Sequence, residues 1–505
     1  MLVRHLHQLS WCNRFAHLPA AFYTRVTAQP VRAPQLLHGN ADVAAWLGLD
    51  PDALHQPDVV AQLAGNQPIP GSDPLAAVYS GHQFGVWAGQ LGDGRALLLG
   101  GVRGPAGEFE LQLKGAGLTP YSRMGDGRAV LRSSVREYLA SLAMHGLGIP
   151  TTHALALVGA ADTVQRETLE TAAIVTRVAP SFVRFGSFQH WAAQHDRAAL
   201  QTLLDHVIDG FYPQCRLAGP DNDAVVPAFL QIVLERTAQL MAAWQAVGFM
   251  HGVMNTDNMS ILGLTLDYGP YGFMDGFNAH HICNHTDSAG RYAWNVQPAV
   301  AHWNLVRLAE ALRPLVSHAN DLRAVLEHYE AEFTQAFRRA MHAKLGLEHD
   351  PSGDDDLLDA LWQLLHDQRA DFPLAFRRLA WIDTDPLAPH PDAAEVAGGN
   401  RGHFLDLFHD VAAAQVWRQR YLARLAHETR SASARRSAML ATNPLYVLRN
   451  HLAELAIRDT RDGNLQTLAR LADVLRQPFT PQAHAADLAA LPPDWARTLE
   501  VSCSS

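Results

Sequence analysis

The feature that most constrains this chain is an abrupt change of texture along it. Between Tyr79 and Gly94 the glycines Gly81, Gly85, Gly89, Gly92 and Gly94 crowd a short stretch, and strand patterns follow. Ala96 to Val102 reads as a buried strand and Glu108 to Leu113 alternates as a second, joined by the hairpin loop Arg103-Gly104-Pro105-Ala106-Gly107. Ser133 to His145 reads as a helix stopped by Gly146, and Ala154 to Val158 and Ala172 to Val178 as two more strands. From Val226 onward the pattern is mostly helical: Phe229 to Val247 ending at Gly248, Val300 to Leu315, Leu322 to Leu345, Leu357 to Asp367 and Phe404 to Ala426. His251 to Gly276 is loop-rich, with strand-like pieces around Ile261 to Leu266. The first 70 residues mix short helical patterns with Pro-rich turns. The expected fold class is therefore α+β, a strand-rich lobe followed by a larger helical one.

Size and composition bound the function. A chain of 505 residues is compatible with two or three domains. Apolar residues make up 48% and charged residues 18%, which excludes a disordered or fibrous protein. No apolar run reaches the roughly 18 residues of a membrane span, and Met1 to Asn13 has no apolar signal core. A cytoplasmic protein with no membrane partner is expected. The 40 basic residues against 50 acidic ones argue against a nucleic-acid partner. Cys12, Cys215, Cys283 and Cys503 form no CxxC pair, so a zinc ribbon or thioredoxin motif is excluded and a reducing compartment fits.

Of the basic residues only Lys114 and Lys344 are lysines. Where arginine serves nearly everywhere, a retained lysine marks a place that needs a compact point charge. Lys344 lies in a polar helical stretch and reads as surface. Lys114 closes the strand Glu110-Leu111-Gln112-Leu113-Lys114, and Glu137 on the following helix is its candidate partner. A strand lysine paired with a helix glutamate is the phosphate-contacting arrangement of kinases.

The strongest segment is His251-Gly252-Val253-Met254-Asn255-Thr256-Asp257-Asn258, then Leu266-Asp267-Tyr268-Gly269. Counted from His251, Asn258 falls where the kinase catalytic loop has its metal-binding Asn, and Asp267-Tyr268-Gly269 matches Asp-Phe-Gly. Both are oxygen ligands suited to Mg²⁺. The catalytic base expected two residues after the His is Val253 instead, and Asp257 is the available substitute. The His280, His281, Cys283 and His285 run reads as chance clustering among 27 histidines, and Phe182, Phe185 and Phe188 read as packing.

With these strings, Phe15 to Val26, Tyr79-Ser80-Gly81-His82-Gln83-Phe84-Gly85, Gln112-Leu113-Lys114-Gly115, Thr119-Pro120-Tyr121-Ser122-Arg123 and Asn443-Pro444-Leu445-Tyr446-Val447-Leu448-Arg449-Asn450, the chain resembles the selenoprotein O (YdiU) family of protein adenylyltransferases. The resemblance runs through most of the chain. It implies a protein-kinase-like two-lobe fold with added N- and C-terminal helical elements, divided as residues 1–78, 79–190, 191–345 and 346–505. It also implies ATP bound end for end, with AMP passed to Ser, Thr or Tyr hydroxyls of protein substrates and pyrophosphate released. Gly92, Gly94 and Arg95 resemble the nucleotide loop, Lys114 and Glu137 the ion pair, and Asp126, Gly127, Arg177 and Arg184 the residues holding nucleotide and outer phosphates. Asn258 and Asp267 resemble the ligands of Mg²⁺, or of Mn²⁺ in its place, and Asp257 the proton acceptor. Because some relatives carry selenocysteine where this chain has Cys503, a Cys283–Cys503 disulfide and redox control are implied as well. Two rivals remain at this point: a kinase transferring the γ-phosphate, and a nucleotide-binding pseudokinase scaffold.

Overall fold

The computed structural model describes residues 2–348 and 354–501. Its N-terminal half is organised by one antiparallel sheet of nine strands among the described residues. These are β1 (Tyr23–Arg25), β2 (Gln35–Gly39), β3 (Leu75–Gln83), β4 (Val86–Gly92), β5 (Ala96–Gly104), β6 (Gly107–Lys114), β7 (Ala129–Val130), β8 (His153–Gln165) and β9 (Leu169–Ala179). The path runs β1-β3-β5-β6-β9-β8-β2, with β4 paired to β3 and β7 to β9.

Strand periodicity explains how β6 serves two environments. Leu111 and Leu113 are fully buried in a cluster with Val43, Leu47, Val59 and Leu63 from short helices near the N-terminus. The alternate residues Glu110, Gln112 and Lys114 project from the opposite face, because successive side chains point to opposite sides of a strand. Register places Gln112 opposite Arg177 and Lys114 opposite Val175. The polar face of β6 and β9 therefore comes together before any loop is considered.

The helix Leu131–Gly146 lies on that second face, and its Val135, Tyr138, Leu139 and Leu142 join the largest core cluster. The helix Asn222–Val247 ends at Gly248 in the left-handed conformation (φ 72°), as the sequence pattern predicts. Phe182, Phe185 and Phe188 are buried in the same core, in line with packing roles.

Several boundaries differ from the sequence reading. Ile261 to Leu266 forms no strand: Ile261 and Leu262 lie in a turn where Gly263 N donates to Ser260 O, and Thr265 makes one isolated parallel bridge to Thr151. Leu322 to Leu345 is two helices, Ala319–Leu326 and Tyr329–Leu345. Phe404 to Ala426 is a 3₁₀ turn followed by Val411–Leu425. The first 70 residues also supply β1 and β2, which are short and join the sheet only through tertiary pairing with β3 and β8. No helix among the described residues is long and apolar enough to cross a membrane.

Lys344 is not on the surface. It is 3% exposed, in the last turn of Tyr329–Leu345, with its ammonium 4.2 Å from the centre of the Phe376 ring. It lies on the face of the helix that carries Met341 and Leu345 into the second core cluster, with Phe372, Phe376 and Leu379.

Candidate active site

Lys114, at the end of β6, has its Nζ 2.7 Å from Glu137 Oε2 and 3.7 Å from Asp267 Oδ1. Burial pulls the Lys114 pKa down, and Glu137 opposes that pull. Arg177, on β9, donates to Gln112 Oε1, to Asp267 Oδ1 and, at 3.3 Å, to Glu137 Oε1. Arg184 reaches the same carboxylate from the other side, 2.6 Å from Asp267 Oδ2, and also donates to Asp257 O at 2.8 Å. An antiparallel bridge between Arg184 and Ser260 holds it there. Burial alone would raise the Asp267 pKa, but Arg177, Arg184 and Lys114 overcome it and hold the carboxyl well below the usual range. Asp267 sits at φ 57°, a left-handed conformation that few non-glycine residues adopt and that concentrates at functional sites.

The loop before it is fixed by its histidine. His251 is buried, its Nε2 2.8 Å from Leu266 O and its ring stacked on Trp244. This ties the start of the 251–258 loop to the residue preceding Asp267. Asn258 donates its amide to Val253 O at 2.9 Å, leaving its side-chain oxygen unused by that bond. Asp257 lies in the 3₁₀ turn Thr256–Asn258, where its Oδ2 accepts from Gln83 Nε2 at 3.1 Å. Its Oδ1 is buried without a partner, and burial pushes the carboxyl pKa up to about 6.

The nucleotide-loop candidates form the opposite wall. Gly92 has φ 148°, and a Cβ there would stand 2.4 Å from the Tyr121 ring, so the close approach requires glycine. Thr119 Oγ1 donates to Asp93 O at 2.7 Å and Ser122 Oγ donates to Gly94 O, stitching the 119–122 loop to the glycines. Asp126, at the rim, is held bidentately by Arg166 at 2.8 and 3.0 Å.

Of the nucleotide-binding, metal-binding and catalytic candidates, all but Glu137, which is paired with Lys114, line one cavity of about 600 Å³. Gly92, Gly94, Arg95, Lys114, Asp126, Gly127, Arg177, Arg184, Asp257, Asn258 and Asp267 are brought together there. The lining carries seven cationic side chains against four carboxylates. Sequence reasoning gave no role to Gln83, Tyr121, Arg123 or Arg166, which also line it. Gln83 carries no signal of its own, and only the structure shows that its strand passes close to the loop, where a Cβ on Gly81 would meet Thr256 Oγ1 at 2.9 Å and Asp257 Oδ1 at 3.2 Å. Cys283 is buried some distance along the chain from this cavity, and Cys503 lies outside the described residues.

An open, net-cationic cavity with buried acids held in place by arginines is built for an anionic substrate. The family model described as "Protein adenylyltransferase SelO" matches residues 5–476. The chain is 60% identical to the protein nucleotidyltransferase YdiU of Bordetella avium (strain 197N) over the whole of both chains. It is also 60% identical to the one from Bordetella parapertussis (strain 12822 / ATCC BAA-587 / NCTC 13253), over 99% of each chain. The protein of the same name from Dechloromonas aromatica (strain RCB) is 53% identical over 98% of this chain and 97% of its own. The chain is thus an enzyme of the nucleotidyltransferase class. It belongs to the SelO family of protein adenylyltransferases.

Proposed function

We propose that this enzyme transfers AMP from ATP to Ser, Thr or Tyr hydroxyls of protein substrates, in a kinase-like two-lobe frame. Residues 79–190 carry most of the strand-rich lobe and 191–345 the helical catalytic lobe, with 346–505 as an extension and 1–78 as an extension that adds β1, β2 and the start of β3 to the sheet. The observation that carries the reading is Asp257: a buried carboxylate with a bare Oδ1 beside the Lys114–Glu137–Asp267 cluster, in a loop whose usual base position is Val253.

In this reading Gly92, Gly94, Arg95, Asp126 and Gly127 hold the nucleotide, and Lys114, Arg177 and Arg184 its phosphates. Arginine forks suit phosphate oxygens. The acceptor hydroxyl oxygen attacks the α-phosphorus and its proton passes to Asp257 Oδ1. The bond from that phosphorus to the β-bridging oxygen breaks, and pyrophosphate leaves with its electron pair. A carboxyl pushed up to about 6 suits a proton acceptor working near neutrality. Reaction of this kind is chiefly positioning and charge neutralisation, which the cation cluster supplies.

The site also fits a divalent cation. No group of three or more His, Cys, Asp or Glu forms a metal cage among the described residues, but a cation shared with phosphates needs only one or two protein oxygens. Asn258, whose amide nitrogen rather than its oxygen is tied to Val253 O, and Asp267 line the same cavity and would hold Mg²⁺ or Mn²⁺, with Asp257 Oδ1 kept for the proton. When bound, the ion neutralises phosphate charge.

Redox control through Cys283 and Cys503 belongs to the same proposal. Two described residues near Cys503 in sequence meet the Cys283 segment: His285 N donates to Val501 O at 2.9 Å, and His285 Nδ1 is 3.5 Å from Glu500 Oε2. Exchange with a small-molecule disulfide would join the two sulfurs and release two equivalents of its thiol. Non-reducing peptide maps and activity with and without dithiothreitol, alongside Cys503→Ala, test this. Redox sensitivity unchanged in Cys503→Ala would reject it.

The deciding experiment for the main reading is incubation with ATP labelled at the α- or the γ-phosphate, followed by intact mass. Label from the α position and an AMP adduct are expected. Transfer of γ label alone would establish a kinase, and ATP binding without transfer a scaffold.

A further inference from the structure

Glu137 can organise Lys114 only if its helix stands at the right distance from β6. The residue before it, Arg136, is buried and points away from the cavity. Its Nη2 donates to Tyr271 O at 2.5 Å and its Nη1 to Asn450 Oδ1 at 3.2 Å. Its guanidinium lies 4.4 Å from the centre of the Tyr271 ring, and the Tyr271 hydroxyl donates back to Arg136 O at 2.8 Å. Tyr271 stands four residues after Asp267, so the segment that carries this carboxylate also grips the helix that carries Glu137.

Asn450 arrives from far along the chain. It opens the helix Asn450–Arg461 and packs against Gly272, where a Cβ would stand 3.3 Å from its amide nitrogen. Its neighbour Arg449 is fully buried and anchors the approach: it donates to both oxygens of Asp371, at 2.8 and 3.0 Å, and to Asp275. A second contact holds the far end of the Glu137 helix. A Cβ on Gly146 would stand 2.0 Å from Leu475 O of the helix Gln466–Arg476, so glycine permits backbone contact there. The C-terminal helices thus hold the Glu137 helix in its second turn, at Arg136, and at its last residue, Gly146.

We infer that Asn450, with Tyr271 and Arg136, is a positioning latch: it sets the Glu137 helix against β6 and couples that setting to the Asp267 segment, so that the C-terminal extension is part of the catalytic apparatus. The inference rests on the reading of Lys114 and Glu137 as the phosphate-positioning pair. A latch residue touches neither nucleotide nor acceptor. Its loss should lower kcat rather than raise the KM for ATP, because displacements of about 1 Å can cost up to a hundredfold in rate while leaving ground-state binding largely intact.

The test compares Asn450→Leu, which removes the acceptor oxygen at similar volume, with Asn450→Asp, which keeps it, and with Tyr271→Phe, which keeps the ring and loses the hydroxyl. Transfer of α-labelled AMP is followed as kcat and KM for ATP. Asn450→Leu should lower kcat about tenfold with KM within about twofold, and Asn450→Asp should restore kcat. In a Glu137→Gln background Asn450→Leu should cause little further loss, because a residue that acts through Glu137 is not additive with it. Hydrogen exchange across residues 131–146 should rise in Asn450→Leu and, to a smaller extent, in Tyr271→Phe. Unchanged kcat in Asn450→Leu, a full additional loss in the Glu137→Gln background, or unchanged exchange across 131–146 would each overturn the latch. If Asn450→Leu fails to fold, the Tyr271→Phe exchange and kinetics decide by the same criteria. Absence of α-label transfer by the unmodified enzyme would instead reject the adenylyltransferase reading, and the exchange measurement would still judge the latch.

Discussion

Replacing Lys344 by Met should stabilise the protein, and by more at neutral than at alkaline pH. Lys344 is 3% exposed, and among the described residues no carboxylate pairs with it. Burial pulls its pKa down from 10.5 to about 7. Between those two values the unfolded chain binds a proton here that the folded chain does not. Stability from this group therefore rises with pH, is fully present above 10.5 and is lost as pH falls toward 7. At about 1.4 kcal/mol per unit, the ceiling on the penalty at pH 7 is roughly 4–5 kcal/mol. Methionine fills a similar volume with no charge to desolvate, and replacements that conserve volume are tolerated. Losing the contact with Phe376 returns about 1 kcal/mol, so a net gain of about 2–4 kcal/mol is expected at pH 7. Urea unfolding under reducing conditions at pH 7, 8 and 9 gives the check. The advantage of Lys344→Met should shrink by about 1.4 kcal/mol per pH unit. An advantage independent of pH, or a less stable variant at every pH, would refute the picture of a neutral buried lysine.

Asp267→Ala should reduce AMP transfer by on the order of a hundredfold or more, since it removes the carboxylate gathered by Arg177, Arg184 and Lys114; steady-state kinetics with α-labelled ATP read it. Lys114→Arg should cut turnover about tenfold or more while leaving the fold intact, because a planar fork does not reproduce a point charge 2.7 Å from Glu137; near-normal kcat would show that charge alone suffices. Gly186→Ala should lower the melting temperature, since its Cβ would stand 2.2 Å from Ser80 O and the backbone must shift; an unchanged melting curve would mean that β3 gives way freely.

The local signals in the sequence carried much of the structure. The alternation of β6, the helix ending at Gly248 and the spacing from His251 to Asn258 and on to Asp267 all depend on contacts within one element or one loop. Period and turn chemistry report such contacts directly. The two lysines show where that reasoning stops. Scarcity marks both equally. Lys114 ends a strand whose alternation places it on a face with Gln112, so its environment follows from local period. Lys344 shares a helix in which polar and apolar residues are mixed, and only the packing of Phe372 and Phe376, from a helix further on, decides that its position faces inward.

The same distinction separates the groups that do chemistry from the groups that place them. Lys114, Glu137, Asp257, Asn258 and Asp267 are recognisable because phosphate chemistry restricts which side chains serve and at what spacing. Gln83, Arg136, Arg449 and Asn450 serve through hydrogen bonds to residues far away in the chain, and any amide or guanidinium can make such bonds. Nothing in the local pattern distinguishes Asn450 bonded to Arg136 from an asparagine facing water. These ties nevertheless decide whether the recognisable residues meet. Gln83 fixes one oxygen of Asp257 and leaves the other bare, while Arg136 joins the Glu137 helix to the backbone downstream of Asp267. The Arg136 tie is buried and the Gln83 tie half-buried, and a donor out of water that loses its acceptor retains its penalty of desolvation. Each therefore resists small displacement more strongly than its single hydrogen bond would suggest, which is the property a residue needs in order to set a distance.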